Sequence, residues 1–203
     1  MTPEQIKLSH AAPKRAFEVA QVGGLSVLLI GPRGSSKTTL REAYPDVLSD
    51  ERDSCPCGNW QNPGRECRCS ARLIYRWYRR IERAAREYDI VLETCPTPAR
   101  DLLAKPYGTP EDTARWRVAR VAAAQGFGVA RTSLEMDDSG ARVAEMALRR
   151  LSLTPGQWER ILRVARAIAN LDASELLKAK HIAEAVQYRA DATIFRPERV
   201  GAV

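Results

Sequence analysis

"LLIGPRGSSKTTLREAYPD", residues 28–46, predicts a buried strand, a glycine-containing loop and a helix in direct succession. Four apolar residues at 27–30 end at Gly31, and a helical pattern begins near Lys37. A strand, a loop with glycines and a Lys-Thr pair at the helix start form the order that a phosphate-binding P-loop requires. The stretch therefore predicts an α/β fold with an anion-binding loop.

Each part of this loop has an expected role in holding a nucleotide. The backbone amides from Gly34 to Thr38 surround the phosphates in such a loop, the Lys37 ammonium contacts the terminal phosphates, and the threonine hydroxyl reaches Mg²⁺. The predicted nucleotide-binding residues are Gly31, Gly34, Ser35, Ser36, Lys37, Thr38 and Thr39. Ser36 replaces the second glycine of the G-x-x-x-x-G-K-[ST] pattern, which costs little near helical geometry and more at a positive φ. The alternative is an ordinary turn between a strand and a helix.

Four of the five cysteines lie in one segment, CPCGNWQNPGRECRC, at residues 55–69. They form a C-x-C-x9-C-x-C array of Cys55, Cys57, Cys67 and Cys69. Four thiolates on a short loop suit tetrahedral Zn²⁺, and a metal would order a segment that is too polar to fold alone. Because zinc sites more often use C-x-x-C pairs, four free thiols are the alternative. The fifth cysteine, Cys95, is expected to be a small buried residue.

The 203 residues carry a formal net charge of +7, which favours an acidic partner, most commonly nucleic acid. The alternative is a generally arginine-rich protein from a genome of high GC content. No window approaches the 18 consecutive apolar residues of a membrane-spanning helix, so no membrane association is expected. The first ten residues, MTPEQIKLSH, lack the layout of a signal peptide. These observations predict a cytoplasmic protein.

Apolar periodicity predicts the remaining elements. Strands are expected at 26–30 and 88–94, and helices at 11–22, from Lys37 to before Pro45, at 71–87, and near 110–125, 138–150, 155–170 and 179–189. Asp137-Asp138, Thr154-Pro155 and Ser174 are expected to cap three of the last four helices.

The helix at 71–87 is strongly basic and permits two interpretations. In the first, Leu73, Trp77 and Ile81 form a buried stripe and the arginines face solvent. In the second, aromatic residues among the arginines stack on single-stranded nucleic acid and neutralise it. The first interpretation is preferred.

Three segments of the chain resemble, in the same order, segments of the magnesium-chelatase-like AAA+ ATPases, and in particular their ComM/YifB branch. The segments are KRAFEVAQVGGLSVLLIGPRGSSKTTL, CPCGNWQNPGRECRCS and ERILRVARAIANLDASELLKAKHIAEAVQYR. That branch consists of bacterial proteins linked to DNA uptake and branch migration. The resemblance implies ATP with Mg²⁺ as cofactor, DNA as a partner and assembly into homo-oligomeric rings.

The resemblance also implies a domain organisation. Residues 1–95 correspond to a truncated P-loop (AAA+) nucleotide-binding core that includes a Cys-rich loop at 53–70. Residues 96–190 correspond to a mostly α-helical lid domain, and 191–203 are expected to form a disordered tail. No counterpart of the family's N-terminal protease-like domain is expected within these 203 residues.

The segment REAYPDVLSDERDSCPCG, residues 41–58, is shorter than its counterpart in that family, which carries the acidic Walker B strand and most of the sensor-1 strand. A sheet of only two strands is therefore expected. Three carboxylates are candidates to replace the acidic Walker B residue: Asp46, Asp50 and Glu93. No catalytic residue is assigned.

Two arginines of the family also lack exact counterparts. Gly156 stands at the sensor-2 arginine position, and Arg160, one helical turn further on, is a candidate substitute for it. Arg86 is out of register with the arginine that acts on a neighbour's phosphate. The chain is therefore expected to bind ATP with hydrolysis near background. The alternative is a non-enzymatic, nucleic-acid-binding remnant of such an ATPase. A magnesium-chelatase subunit of tetrapyrrole synthesis is a weaker third interpretation, because the cysteine segment resembles the ComM branch.

Overall fold

The computed structural model of the chain describes residues 11–96 and 133–189. The helix predicted near 110–125 and the tail predicted over 191–203 lie outside these ranges. Among the described helices, none combines the length and the apolar character that a membrane crossing needs.

Within the described ranges, the helices and strands predicted from the sequence are present, with ends shifted by at most a few residues. The strands are β1 (Val27–Gly31), β2 (Ser49–Asp53) and β3 (Ile90–Glu93). The helices are α1 (Ala11–Gly23), α2 (Lys37–Ala43), α3 (Ala71–Ala85), α4 (Asp138–Leu151), α5 (Pro155–Leu171) and α6 (Ala179–Gln187).

The three strands form one parallel sheet in the order β2-β1-β3. The central strand, β1, is buried at all five positions, and its uninterrupted apolar sequence is typical of a parallel strand covered on both faces. Because the strands are parallel, Gly31, Asp53 and Glu93 end at the same side of the sheet, called the carboxyl edge here.

The expectation of two strands is wrong, because β2 is a third strand in the segment that precedes the cysteines. Its sequence, SDERD, has no apolar residue, and all five positions are half-buried. It is an edge strand whose backbone pairs with β1 from Val27↔Ser49 to Gly31↔Asp53. Edge strands tolerate charged side chains because they bury only part of their surface. Hydrophobic periodicity therefore gives no signal for β2.

Alternate residues of β1 face two separate hydrophobic clusters, as the two-residue period of a strand requires. Val27 and Leu29 belong to a cluster with residues of α1, α2, α5 and α6. Leu28 and Ile30 belong to a cluster with α3 and Cys55. The helices that follow β1 and β2 in the chain, α2 and α3, therefore cover opposite faces of the sheet.

The buried face of α3 differs from the predicted stripe. Ile74, Tyr78, Ile81 and Ala85 are its buried residues. Of the predicted set, only Ile81 is buried, whereas Leu73 and Trp77 are half-buried. The prediction is wrong because the Trp77 indole lies at the rim, where its Nε1 donates to the Asp53 carbonyl at 2.8 Å.

Two of the three predicted caps are confirmed. Asp137 accepts a hydrogen bond from the Gly140 amide, and Thr154 forms a capping box with Gln157. Ser174 is not a cap, because α6 begins at Ala179. The expectation of a buried Cys95 is also wrong, since this thiol is exposed.

Candidate functional site

The loop at residues 31–37, here called the glycine–lysine loop, joins β1 to α2 at the middle of the carboxyl edge. Its backbone is left-handed at Gly34 (φ 79°) and at Ser36 (φ 60°). Glycine adopts a positive φ without penalty, whereas a side chain makes this conformation unfavourable by roughly 1–2 kcal/mol. Ser36 therefore lowers the stability of the fold. Of the two backbone geometries considered from the sequence, near-helical or positive φ, the loop has the less favourable positive φ.

The Lys37 side chain is folded against the loop, and the residue is only 8% exposed. Its ammonium donates to the carbonyl oxygens of Gly31 at 2.8 Å and Pro32 at 2.9 Å. It also pairs with the Asp53 carboxylate at 3.1 Å. The loop thus holds one positive charge in a fixed position at the carboxyl edge.

Gly31 and Ser35 attach the loop to the end of β3. The Ser35 and Thr94 hydroxyl oxygens lie 2.8 Å apart, and the Thr94 amide donates to the Ile30 carbonyl at 2.8 Å. A Cβ on Gly31 would lie 2.3 Å from the Thr94 carbonyl oxygen, so a side chain does not fit there. The glycine is therefore required by the close approach of two backbone segments.

The first turn of α2 carries Thr38 and Thr39. The Thr38 hydroxyl donates to the Glu51 carboxylate of β2, with 3.1 Å to Oε2 and 3.3 Å to Oε1. Thr39 is half-buried on the same turn. The predicted binding residues, Gly31 and residues 34–39, thus lie together at the carboxyl edge, and Thr38 faces a carboxylate.

Glu51 and Asp53 are site residues that the sequence analysis did not name. They lie two residues apart on β2, so their side chains share one face of the strand, and that face is turned to Lys37 and Thr38. Recognition of the edge strand would have identified both, because alternation along SDERD then fixes which carboxylates face the loop.

None of the three candidate carboxylates, Asp46, Asp50 and Glu93, lies on the face of β2 that carries Glu51. Asp50 lies on the other face of β2, where its carboxylate contacts Arg52 at 2.7 Å and the Tyr88 hydroxyl at 3.0 Å. Asp46 follows the C-terminal end of α2 and is exposed, and Glu93 is exposed at the end of β3. The carboxylates that contact Lys37 and Thr38 in the described structure, Asp53 and Glu51, therefore come from the face of β2 opposite to Asp50.

The four predicted cysteines converge, with all four sulfur atoms within 4.8 Å of one another. The Cys55 and Cys57 sulfurs are 3.3 Å apart, and each lies 3.7 Å from the Cys67 sulfur. Tetrahedral zinc with Zn–S bonds of about 2.3 Å places its sulfurs about 3.8 Å apart. The observed spacing therefore fits one Zn²⁺.

The surroundings of the cluster favour negative charge on one sulfur. Backbone hydrogen bonds from Asn59 and Arg68 lower the pKa of the Cys57 thiol to about 6. Burial raises the pKa of the Cys67 thiol to about 12 and also raises the pKa of the Cys69 thiol. Since metal ligands bind as thiolates, binding of an ion here releases protons from the neutral thiols.

The cysteine segment contacts the glycine–lysine loop through the backbone of Arg33. The Arg33 amide donates to the Gly58 carbonyl at 2.7 Å, and its carbonyl accepts from the Asn62 side-chain amide at 3.0 Å. The Ser54 amide donates to the Gly31 carbonyl at 3.0 Å. Both backbone polar groups of Arg33 are therefore held by the segment that carries the cysteines.

Arg86, Gly156 and Arg160 line a different cavity, of about 350 Å³, between α3 and the start of α5. The Arg160 guanidinium donates to the Tyr88 carbonyl at 3.3 Å, immediately before β3 begins. This is the amino end of β3, across the sheet from the carboxyl edge. Arg160, the predicted substitute for a sensor-2 arginine, is therefore directed away from the glycine–lysine loop of its own chain.

Two family models match the chain. Residues 4–54 match "Magnesium chelatase, subunit ChlI", and residues 110–189 match "Magnesium chelatase, subunit ChlI C-terminal". Together they cover more than half of the chain. The first match includes the glycine–lysine loop and β2, and the second includes α4, α5 and α6.

Two curated relatives are similar over most of the chain. "Uncharacterized protein YifB" of Escherichia coli strain K12 is 28% identical over 171 residues, which is 76% of this chain and 33% of the relative. The protein of the same name from Salmonella typhimurium is 27% identical over 172 residues, with the same coverage of 76% and 33%. The chain thus spans about a third of the length of these relatives.

Proposed function

Since the chain belongs to the magnesium-chelatase-like family, we propose that it binds ATP and that the glycine–lysine loop is the P-loop that holds the triphosphate. The main support for the proposal is that the Lys37 ammonium is held beside Gly31, at the carboxyl end of the central strand β1. In P-loop proteins the lysine ammonium at this place contacts the terminal phosphates of the nucleotide.

The topology of the sheet supports the same location. From β1 the chain adds β2 on one side and β3 on the other, and α2 and α3 cover opposite faces. Open parallel sheets bind ligands at the carboxyl ends of the strands where the strand order reverses in this way. The glycine–lysine loop occupies that point.

Within this site each residue has a distinct role. Lys37 exchanges its contact with Asp53 for the phosphates, and the Thr38 hydroxyl provides an oxygen ligand for Mg²⁺. The amides of residues 34–38 donate to the phosphate oxygens. Helices α4, α5 and α6 form the lid of the nucleotide site in this proposal, and ring assembly remains a prediction from the resemblance.

The test is an equilibrium titration of the full chain with a fluorescent ATP analogue. We expect Lys37→Ala to abolish saturable binding, and Lys178→Ala, which removes an exposed lysine at the start of α6, to bind as the wild type does. Circular dichroism confirms that the variants are folded. Equal affinity of the wild type and Lys37→Ala would remove the P-loop assignment.

We propose further that Cys55, Cys57, Cys67 and Cys69 hold one structural Zn²⁺. The sulfur spacing and the four-thiol donor set support zinc, and a closed set of four protein ligands is typical of structural rather than catalytic zinc. In this role the ion orders the segment that contacts Arg33.

A second candidate function, binding of single-stranded DNA, is favoured by the outer face of α3. Tyr75 is 49% exposed there. The arginines on the exposed surface of the helix are Arg72, Arg76, Arg79, Arg80 and Arg83. Stacking and phosphate neutralisation would both use this face.

Fluorescence anisotropy with a labelled oligonucleotide tests this candidate. Arg76→Glu should weaken binding and reduce its salt dependence, whereas Arg150→Glu, at the exposed end of α4, should have a smaller effect. The same affinity for both variants and the wild type would exclude α3 as the binding face.

A further inference from the structure

We propose that Glu51 of β2 is the carboxylate that holds the Mg²⁺ of the bound nucleotide, together with the Thr38 hydroxyl. The inference rests on the proposed nucleotide site and assigns a function to a strand whose sequence gave no structural signal. It also identifies an acidic residue for a site in which the sequence alone offered only Asp46, Asp50 and Glu93.

The first step is the direct contact between the two side chains. The Thr38 hydroxyl donates to both oxygens of the Glu51 carboxylate, at 3.1 and 3.3 Å. This bond joins the residue after the P-loop lysine to the strand next to β1. In P-loop nucleotide hydrolases the Mg²⁺ is held by the hydroxyl at that position and by an acidic residue from the sheet. The Thr38–Glu51 pair supplies both groups.

The second step is the choice between Glu51 and Asp53, which share a face of β2. Glu51 is preferred because its carboxylate contacts the Thr38 hydroxyl. Asp53 instead lies 3.1 Å from the Lys37 ammonium and 3.6 Å from Arg33, and its contact with Arg33 remains when Lys37 turns to the phosphates. The Glu51 carboxylate has Arg41 as a more distant partner, at 3.9 Å, and both of these side chains are partly exposed. A partly exposed pair at this distance is weak, so it leaves Glu51 available to an ion.

The third step is the chemistry of the donor set. Mg²⁺ is a hard cation that is usually bound by one or two carboxylates together with substrate phosphates and water. The Glu51 carboxylate and the Thr38 hydroxyl are both hard oxygen donors and lie beside the proposed phosphate site. The donor set of Glu51 and Thr38 therefore fits Mg²⁺, and no carboxylate from an additional strand is needed.

The experiment measures how strongly Mg²⁺ tightens nucleotide binding, using the full chain and the fluorescent ATP analogue. The wild type is titrated in EDTA and in excess Mg²⁺, and we expect Mg²⁺ to tighten binding by about tenfold or more, a change of one decade in Kd. Glu51→Gln should bind the analogue in EDTA but lose most of the tightening. Asp50→Asn removes the same charge from the other face of β2 and should keep it.

A direct readout of the ion uses Mn²⁺ in place of Mg²⁺. The free Mn²⁺ signal in electron paramagnetic resonance should fall when nucleotide and wild-type chain are combined, and Glu51→Gln should restore much of it. If this variant does not fold, the pair Thr38→Val and Thr38→Ser tests the same site, because only the serine retains the hydroxyl.

The outcomes separate this inference from the proposed function. Nucleotide binding with full Mg²⁺ tightening in Glu51→Gln would overturn the assignment of Glu51 and leave the P-loop in place. Absence of nucleotide binding in both EDTA and Mg²⁺ would overturn both proposals. Equal loss in Asp50→Asn and Glu51→Gln would show a general effect of charge and would also overturn the assignment.

Discussion

Ser36 has a left-handed backbone, with φ of 60°, at the position where the P-loop pattern has glycine. We predict that Ser36→Gly stabilises the chain by about 1 kcal/mol, because glycine removes the strain but adds freedom to the unfolded state. Urea unfolding followed by circular dichroism measures the change. Nucleotide affinity should not decrease, since the amide at this position is kept.

Two further variants serve as controls for the strain argument. Ser152, at the end of α4, also has a positive φ, of 47°. Ser152→Gly should therefore give a similar gain far from the loop. Ser35→Gly should instead destabilise, because it removes the buried hydroxyl contact with Thr94. A loss of stability in Ser36→Gly would contradict the prediction.

At the scale of elements, sequence patterns predicted the parts that hydrophobic burial determines. β1 is apolar throughout, and α4 and α5 begin with side chains that cap them, so local chemistry was sufficient. β2 has no apolar residue and forms through backbone pairing with β1 and through charge contacts of its side chains. These partners are distant in sequence, so a local pattern does not reveal them.

The same distinction applies within the candidate site. The cysteines and the residues of the glycine–lysine loop could be named from short motifs. Glu51, by contrast, becomes a site residue only through the register of β2, and Arg33 meets Gly58 only through the path of two loops. Position on a sheet edge, rather than residue type, decides such contacts.

The cysteine segment gives a prediction at this scale. We expect purified chain to contain one zinc ion, and Cys67→Ser to contain much less, because the variant retains only three of the four ligands. Elemental analysis measures the ion, and titration of native thiols measures how many remain accessible. Cys95→Ser is the matched control and should keep the zinc, because this exposed thiol lies outside the cluster.

A chain without zinc and with four freely titrating native thiols would contradict the prediction. The four converging cysteines would then be free thiols in a loop that binds no metal.

For the whole molecule, we predict that ATP hydrolysis by the chain is at or near background, with or without DNA. Arg86 and Arg160 line one cavity. This cavity lies near the amino end of β3, where Arg160 contacts the Tyr88 carbonyl, and it is away from the proposed P-loop. P-loop sites that lack the arginine finger lose roughly 10³–10⁵ in rate. Mg²⁺ at Glu51 would support binding of the nucleotide, but it would not replace the positive charge of the missing arginine in the transition state.

A steady-state phosphate-release assay measures the turnover. Mg²⁺-dependent hydrolysis at about 1 s⁻¹, the low end for ordinary enzymes, would contradict the prediction if it disappeared in Lys37→Ala. Turnover that survives in Lys37→Ala belongs to a contaminating enzyme.

The two hydrogen bonds that hold the backbone of Arg33 make the proposed metal and nucleotide sites parts of one equilibrium. If zinc fixes the cysteine segment, it also fixes the middle of the loop around the phosphates, so the nucleotide meets a partly ordered site. Thermodynamic linkage is reciprocal: the factor by which zinc tightens nucleotide binding equals the factor by which nucleotide tightens zinc binding. A nucleotide-loaded chain would then release zinc to a chelator less readily than the nucleotide-free chain, and removal of zinc would weaken nucleotide binding.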